Sequence, residues 1–134
     1  MSDIQKTDGD LKKFIAHIHT GKVKSFLEDT YLITLNVAGL YYIKNINEIF
    51  PKLEKGDKLD LYRQSDNEYD KYAILVKFNG EKLGYVPRSD NKILANLMDA
   101  GKEIYGKIVD LNMEKDDYGR THIFVKFKIY LKED

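Results

Sequence analysis

The strongest constraint on the fold is a pair of apolar-rich runs, residues 72–78 and 81–86, separated by Asn79-Gly80. A type I′ turn needs positive φ at both central positions, and Asn-Gly supplies it readily, so the runs define a β-hairpin. A direct two-residue register sets Val76 opposite Leu83 and Ile74 opposite Tyr85 on one apolar face. The other face then pairs Leu75 with Gly84 and Lys77 with Lys82. Like charges directly opposite destabilise a sheet, so the lysine pair needs solvent or an anionic partner. Gly84 leaves bare backbone where a neighbour can approach closely.

Period-two patterning predicts further strands at residues 31–38, 58–63, 104–111 and 121–130. Tyr31, Ile33, Leu35 and Val37 fall on one face of the first, and Leu59 and Leu61 point inward in the second. The last buries Ile123, Val125, Phe127 and Ile129 and exposes Lys126 and Lys128. Residues 112–120, rich in charge, are expected to form a loop. Ile43, Ile46, Ile49 and Phe50 have helical spacing, ended by Pro51. Ser89 or Asp90 is expected to cap a short helix with Ile93, Leu94, Leu97 and Met98 as its buried stripe, closed by Gly101. The predicted fold class is mainly β (α+β): a small OB-like or SH3-like β-barrel of about six strands with two or three short helices.

Residues 1–30 read as a helical extension and 31–134 as the barrel. In the extension Leu11, Phe14, Ile15, Ile18, Val23, Phe26 and Leu27 recur at helical spacing, broken by Gly21, with Asp10 as cap. His17 and His19 are expected to face solvent there.

The chain has 134 residues, enough for one core without crosslinks. It contains no cysteine, so thiolate chemistry and disulfides are excluded. Three histidines without a carboxylate cluster argue against a zinc site, and no cofactor motif is present. No apolar run approaches the ~20 residues that span a bilayer, and no signal peptide is visible, so the expected setting is cytoplasmic, away from membrane. Without a nucleophile elbow, phosphate loop or metal motif, the expectation is a protein that is not an enzyme. Lys plus Arg and Asp plus Glu both number 22, giving a formal net charge of zero. Nucleic-acid binding driven by counterion release needs cations, so such a chain would recognise a local feature rather than coat backbone.

The groups that could do so cluster in two places. Tyr41 and Tyr42 follow Gly39, where an exposed ring would offer a stacking platform worth ~1–3 kcal/mol per base; neighbours on an extended segment point oppositely, so one ring is expected to be available. Asn67-Glu68-Tyr69-Asp70 forms a polar turn before the hairpin. An aspartate repels a phosphodiester but accepts well from a hydroxyl, such as a strand's 3′ end. Arg88, Lys77, Lys82 and Lys92 would neutralise adjacent phosphates. On chemistry alone, the stronger reading is that Asn67 and Asp70 close a turn through side chain-to-backbone bonds.

Four segments in order, Gly39-Leu40-Tyr41-Tyr42, Gly56-Asp57-x-Leu59-x-Leu61, Asp66-Asn67-x-Tyr69-Asp70-x-x-Ala73-Ile74-x-Val76 and Leu83-Gly84-Tyr85-Val86-Pro87-Arg88, resemble the HIRAN domain family. The resemblance is strongest over residues 33–109. It implies a modified OB-like barrel that, in helicase-linked members, binds single-stranded DNA and captures its 3′-hydroxyl end. It places Asn67, Tyr69 and Asp70 at the terminal nucleoside, Arg88 at backbone phosphate, and Tyr41 and Tyr42 in the base-stacking segment. The helicase-linked pattern has an arginine before the paired tyrosines, where this chain has Gly39-Leu40. Glu68 stands where proline is common, and Gln64-Ser65 where Glu-Pro is common. The expected role is recognition of free 3′ ends in DNA repair or fork processing. A helicase or nuclease partner would supply any remodelling. The alternative is a non-catalytic protein-interaction adaptor on the same barrel.

Overall fold

The computed structural model describes residues 28–133. The chain divides into two compact units, of which Tyr31–Lys132 carries the barrel. The expected helices of the first 27 residues, with His17 and His19, lie outside the described residues.

Six strands form one sheet: β1 (Thr30–Asn36), β2 (Lys58–Arg63), β3 (Ile74–Phe78), β4 (Glu81–Tyr85), β5 (Ile104–Lys115) and β6 (Thr121–Leu131). Their order is β1-β6-β5-β2-β3-β4. A 3₁₀ turn (Leu40–Tyr42), a short helix α1 (Ile46–Ile49) and a second 3₁₀ turn (Phe50–Lys52) connect β1 to β2. The α-helix ends before Pro51, as expected, and Pro51 sits in the single 3₁₀ turn that leads out of it. Helix α2 (Asn91–Asp99) links β4 to β5.

The sheet curls until its outer strands meet. Ala38 and Tyr85 exchange backbone hydrogen bonds of 2.8 Å in both directions, bridging the end of β1 to β4. Gly84 permits this closure: a Cβ there would lie 2.2 Å from the Ala38 carbonyl oxygen. Inside, Leu59, Ile74, Val76, Leu83, Val125, Phe127 and Ile129 are fully buried. Gly106 makes room for the Phe127 ring, since a Cβ at that position would approach it to 2.8 Å. Truncating a buried phenylalanine such as Phe127 costs ~3–5 kcal/mol.

The Asn79-Gly80 turn has φ of 48° and 83°, as a type I′ turn requires. Lys77 pairs with Lys82, but beyond it the hairpin departs from the direct register. Leu75 faces Tyr85 and Val76 faces Gly84, with an irregularity between Val76 and Lys77. Leu83 is the extra residue of this bulge, which lets Leu83 and Val76 both reach the core.

Three other expectations are revised. Strand β5 continues to Lys115, pairing Asn112 with Phe124 and Glu114 with His122, so the connection shrinks to a tight turn. Asp116 organises that turn: its carboxylate accepts from the Tyr118 and Arg120 amides, Arg120 Nε and His122 Nε2. The His122 contact, followed by the backbone bonds, holds the Asp116 carboxyl below the ordinary carboxylate range. In α2, Leu94 and Ala95 are buried while Ile93 is 74% exposed, because the helix buries a narrower face than the apolar spacing suggests. Tyr31 is half exposed, its ring edge-on to Tyr130 and its hydroxyl on Thr34. Gly101 ends α2 as expected: its amide bonds the Met98 carbonyl and the Lys102 amide bonds the Leu97 carbonyl.

Candidate nucleic-acid interface

Asn67 builds the turn that follows β2. Its side-chain carbonyl accepts from the amides of Tyr69 (2.9 Å) and Asp70 (3.0 Å), and its Nδ2 donates to Gln64 Oε1 at 3.2 Å. Asp70 closes the next step, Oδ1 accepting from the Tyr72 amide at 2.9 Å. Arg63 straps the far side, donating to the carbonyls of Lys71 and Ala73 and pairing with Asp99 at 3.0 Å. The turn is thus a rigid platform, and the turn-closing role open to Asn67 and Asp70 is one they both perform.

Asp70 does more than close the turn. Its Oδ2 accepts from Asn91 Nδ2 at 2.7 Å and lies 3.7 Å from Arg88 Nε. Arg88 also donates from Nη2 to the Tyr69 carbonyl at 3.0 Å. A carboxylate has about four acceptor positions, so Asp70 keeps capacity for an incoming donor. The guanidinium is three-quarters exposed and keeps donors directed to solvent. One anion and one cation, both fixed, therefore sit side by side.

They line a depression of about 310 Å³ with Asn67, Tyr69, Tyr85, Gly39 and Ala38. Its floor is the closing bridge between β1 and β4. The Tyr69 ring stands exposed beside it. The structure thus brings Asn67, Tyr69, Asp70 and Arg88 together in one groove.

Tyr41 and Tyr42 lie elsewhere. They belong to a 3₁₀ turn rather than an extended segment, and both rings are more than four-fifths exposed, 5.6 Å apart and perpendicular. The expectation that only one would be available does not hold, because the turn projects both outward. They line a second depression of about 460 Å³ with Lys44, His122 and Phe124. Gly39 lines the first depression and Leu40 the second, so the two are neighbours in the chain.

The lysines are dispersed. Lys77 lies over the Tyr62 ring at 4.7 Å and Lys82 over Tyr85 at 4.8 Å, so the opposed pair is accommodated on rings. Lys82 borders the groove through Tyr85, whose hydroxyl it meets at 3.4 Å. Lys92 sits over Tyr72 at 5.6 Å, outside the groove lining.

Two supporting residues escape a reading of the sequence. Asn91 is the buried polar residue of the domain, 2% exposed. Gln64 joins the turn to the hairpin by accepting from both Asn67 and Tyr85. Asn91 stands just after the Asp90 cap position, and nothing in its local sequence signals a partner 21 residues earlier. Among the described residues no cluster could hold a metal ion, and no helix is long and apolar enough to cross a membrane.

The HIRAN domain profile matches residues 31–132. A crystal structure of a protein from Lactobacillus plantarum is similar at 30% identity and a TM-score of 0.59, covering 77% of this chain and 97% of that one. The HIRAN domain of human HLTF shares the fold at 24% identity and a TM-score of 0.53, covering 78% of each chain. No relative is found among curated proteins. With the barrel, its turn platform and its closing hairpin matched end to end, the chain belongs to the HIRAN domain family, a family of nucleic-acid-binding domains.

Proposed function

We propose that this protein is a non-catalytic module that binds single-stranded DNA and holds its free 3′-hydroxyl end in the groove of Asn67, Tyr69, Asp70 and Arg88. One observation carries the reading: a fixed carboxylate and a fixed guanidinium, 3.7 Å apart, line the same small depression. A strand end presents a hydroxyl donor and, one linkage away, an anionic phosphate. Asp70 suits the first and Arg88 the second. The Tyr69 ring can cover the terminal sugar or base, and Tyr41 and Tyr42 can stack on bases further along. A role in repair or fork processing, in the cytoplasm and with a helicase or nuclease as partner, fits such end recognition.

The adaptor reading draws on a different observation, that Asn67 already uses its side-chain carbonyl and amide within the turn. Fluorescence anisotropy separates the two. Short single strands ending in 3′-hydroxyl should bind more tightly than those ending in 3′-phosphate, at low and moderate salt, and Asp70→Asn should abolish the preference. Equal, weak binding to both ends favours the adaptor.

A further inference from the structure

The outer face of the sheet carries an arrangement that the groove does not use. Lys58, Lys107 and Lys128 stand directly across from one another on β2, β5 and β6. The next row contains Tyr105 opposite Tyr130, stacked at 5.7 Å, with Tyr31 edge-on beyond. Each lysine leans over a ring of that row: Lys58 over Tyr105, Lys107 over Tyr130 and Lys128 over Tyr31, at 5.4, 5.9 and 5.5 Å.

Three like charges in register destabilise a sheet, and cation–π contacts offset only part of that. Asp60 reaches Lys58 at 4.0 Å, while Lys107 and Lys128 form no ion pair among the described residues. The pattern continues on the same face with Lys77 over Tyr62 and Lys82 over Tyr85. Tyr85 also lines the groove, so the lysine–tyrosine surface runs from β1 to the groove's edge. Asp60, across from Tyr105 and Lys77, answers only the β2 end of this row, so Lys107 and Lys128 stand as a local excess of cations in a chain of zero net charge.

We propose that the row Lys58, Lys107 and Lys128 is a second nucleic-acid contact, holding the phosphate backbone of a strand whose end occupies the groove. This rests on the groove reading for the position of the end, but the row's attraction for phosphate stands independently of it. With strands ~4.8 Å apart, the row spans ~10 Å, and its three flexible lysines can neutralise up to about three phosphates of a bound strand.

The test compares the full chain with the Lys58→Gln, Lys107→Gln, Lys128→Gln triple variant, and with the corresponding triple arginine variant, which keeps the charge. Affinity is measured against salt for single strands of about 4 and about 16 nucleotides, the range of site sizes on related barrels. Each phosphate contact contributes ~0.7 to the slope of log affinity against log salt. The glutamine variant should lose about 2 from that slope on the long strand and nothing on the short one, and arginine should restore it. An unchanged slope on the long strand, or equal losses on both, overturns the proposal. If neither strand distinguishes 3′-hydroxyl from 3′-phosphate yet the long-strand slope still falls, the groove reading fails and the lysine row stands. Thermal melting of all three proteins, with the arginine variant as the charge-retaining reference, separates loss of contact from loss of fold.

Discussion

Asn91 donates to Asp70 Oδ2 across 2.7 Å, tying the first turn of α2 to a platform 21 residues earlier. The amide is buried and the carboxylate nearly so, which makes their bond the internal support of the groove. Arg88 reaches the same oxygen from the solvent side. Oδ2 is therefore aimed by one neutral partner within the protein and one charged partner at its rim, while Oδ1 is held by the Tyr72 amide.

Removing the inner partner should be costly. Asn91→Leu leaves Asp70 without its buried donor, and an unsatisfied polar group of this kind costs ~1–3 kcal/mol. Urea denaturation should show that loss. Asn91→Asp should be worse at neutral pH, where two carboxylates would face each other, and should recover as acid protonates one of them. A stability loss independent of pH in Asn91→Asp would show that charge is not the cause.

Barrel closure gives a second expectation. In Gly84→Ala the new methyl group would meet the Ala38 carbonyl at 2.2 Å, against backbone that can yield only by separating β1 from β4. Overpacking of this kind costs ~1–3 kcal/mol. Hydrogen exchange should show the Ala38 and Tyr85 amides losing protection first. Retained protection at both would mean that closure does not depend on this glycine.

The Asp116 turn sets an acid response. Its carboxyl is held below the ordinary range, chiefly by the hydrogen bond to His122. A depressed native value means the unfolded chain takes up the proton more readily. The turn's contribution is therefore complete above the ordinary carboxylate range and is lost as pH falls through it towards the native value. Denaturation midpoints of the wild type should decline with acid over that window. Asp116→Asn, already lacking the charge, should show a shallower decline, and identical profiles would refute the assignment.

The exposed tyrosines separate stability from binding. Tyr41→Ala and Tyr42→Ala should each leave stability within about 0.5 kcal/mol, as expected where a side chain packs against little. A ring that stacks should cost ~1–3 kcal/mol of affinity for single strands when removed. Calorimetry and anisotropy on the same two variants would show which ring, or both, contacts a base.

Most of the barrel is legible because its strands alternate and Asn79-Gly80 leaves the hairpin little choice of turn. The bulge at Leu83 is not legible, since an added residue beyond the turn leaves the turn chemistry unchanged. Strand β5 runs further than its apolar pattern because residues 112–115 are held by pairing and by the Asp116 turn, not by burial. The members of the groove are legible as chemistry, since an anion beside an amide and an aromatic is a distinctive turn. Their support is not: Asn91 and Gln64 act through contacts that exist only once α2 and the hairpin reach the platform. Ile93 misleads in the opposite sense, because helical spacing marks a face without showing how wide a neighbour will cover it.

The bridge between Ala38 and Tyr85 is the seam of the barrel, two hydrogen bonds without further pairing on that edge. Ala38, Gly39 and Tyr85 also wall the groove, so whatever occupies it lies across the seam. Occupancy and closure are then linked by mass action: a ligand that requires the closed seam stabilises it in proportion to the logarithm of one plus the ratio of its concentration to its Kd, and any opening of the seam must release the ligand. The groove is in this sense a clasp, and the melting temperature becomes a gauge of what it holds.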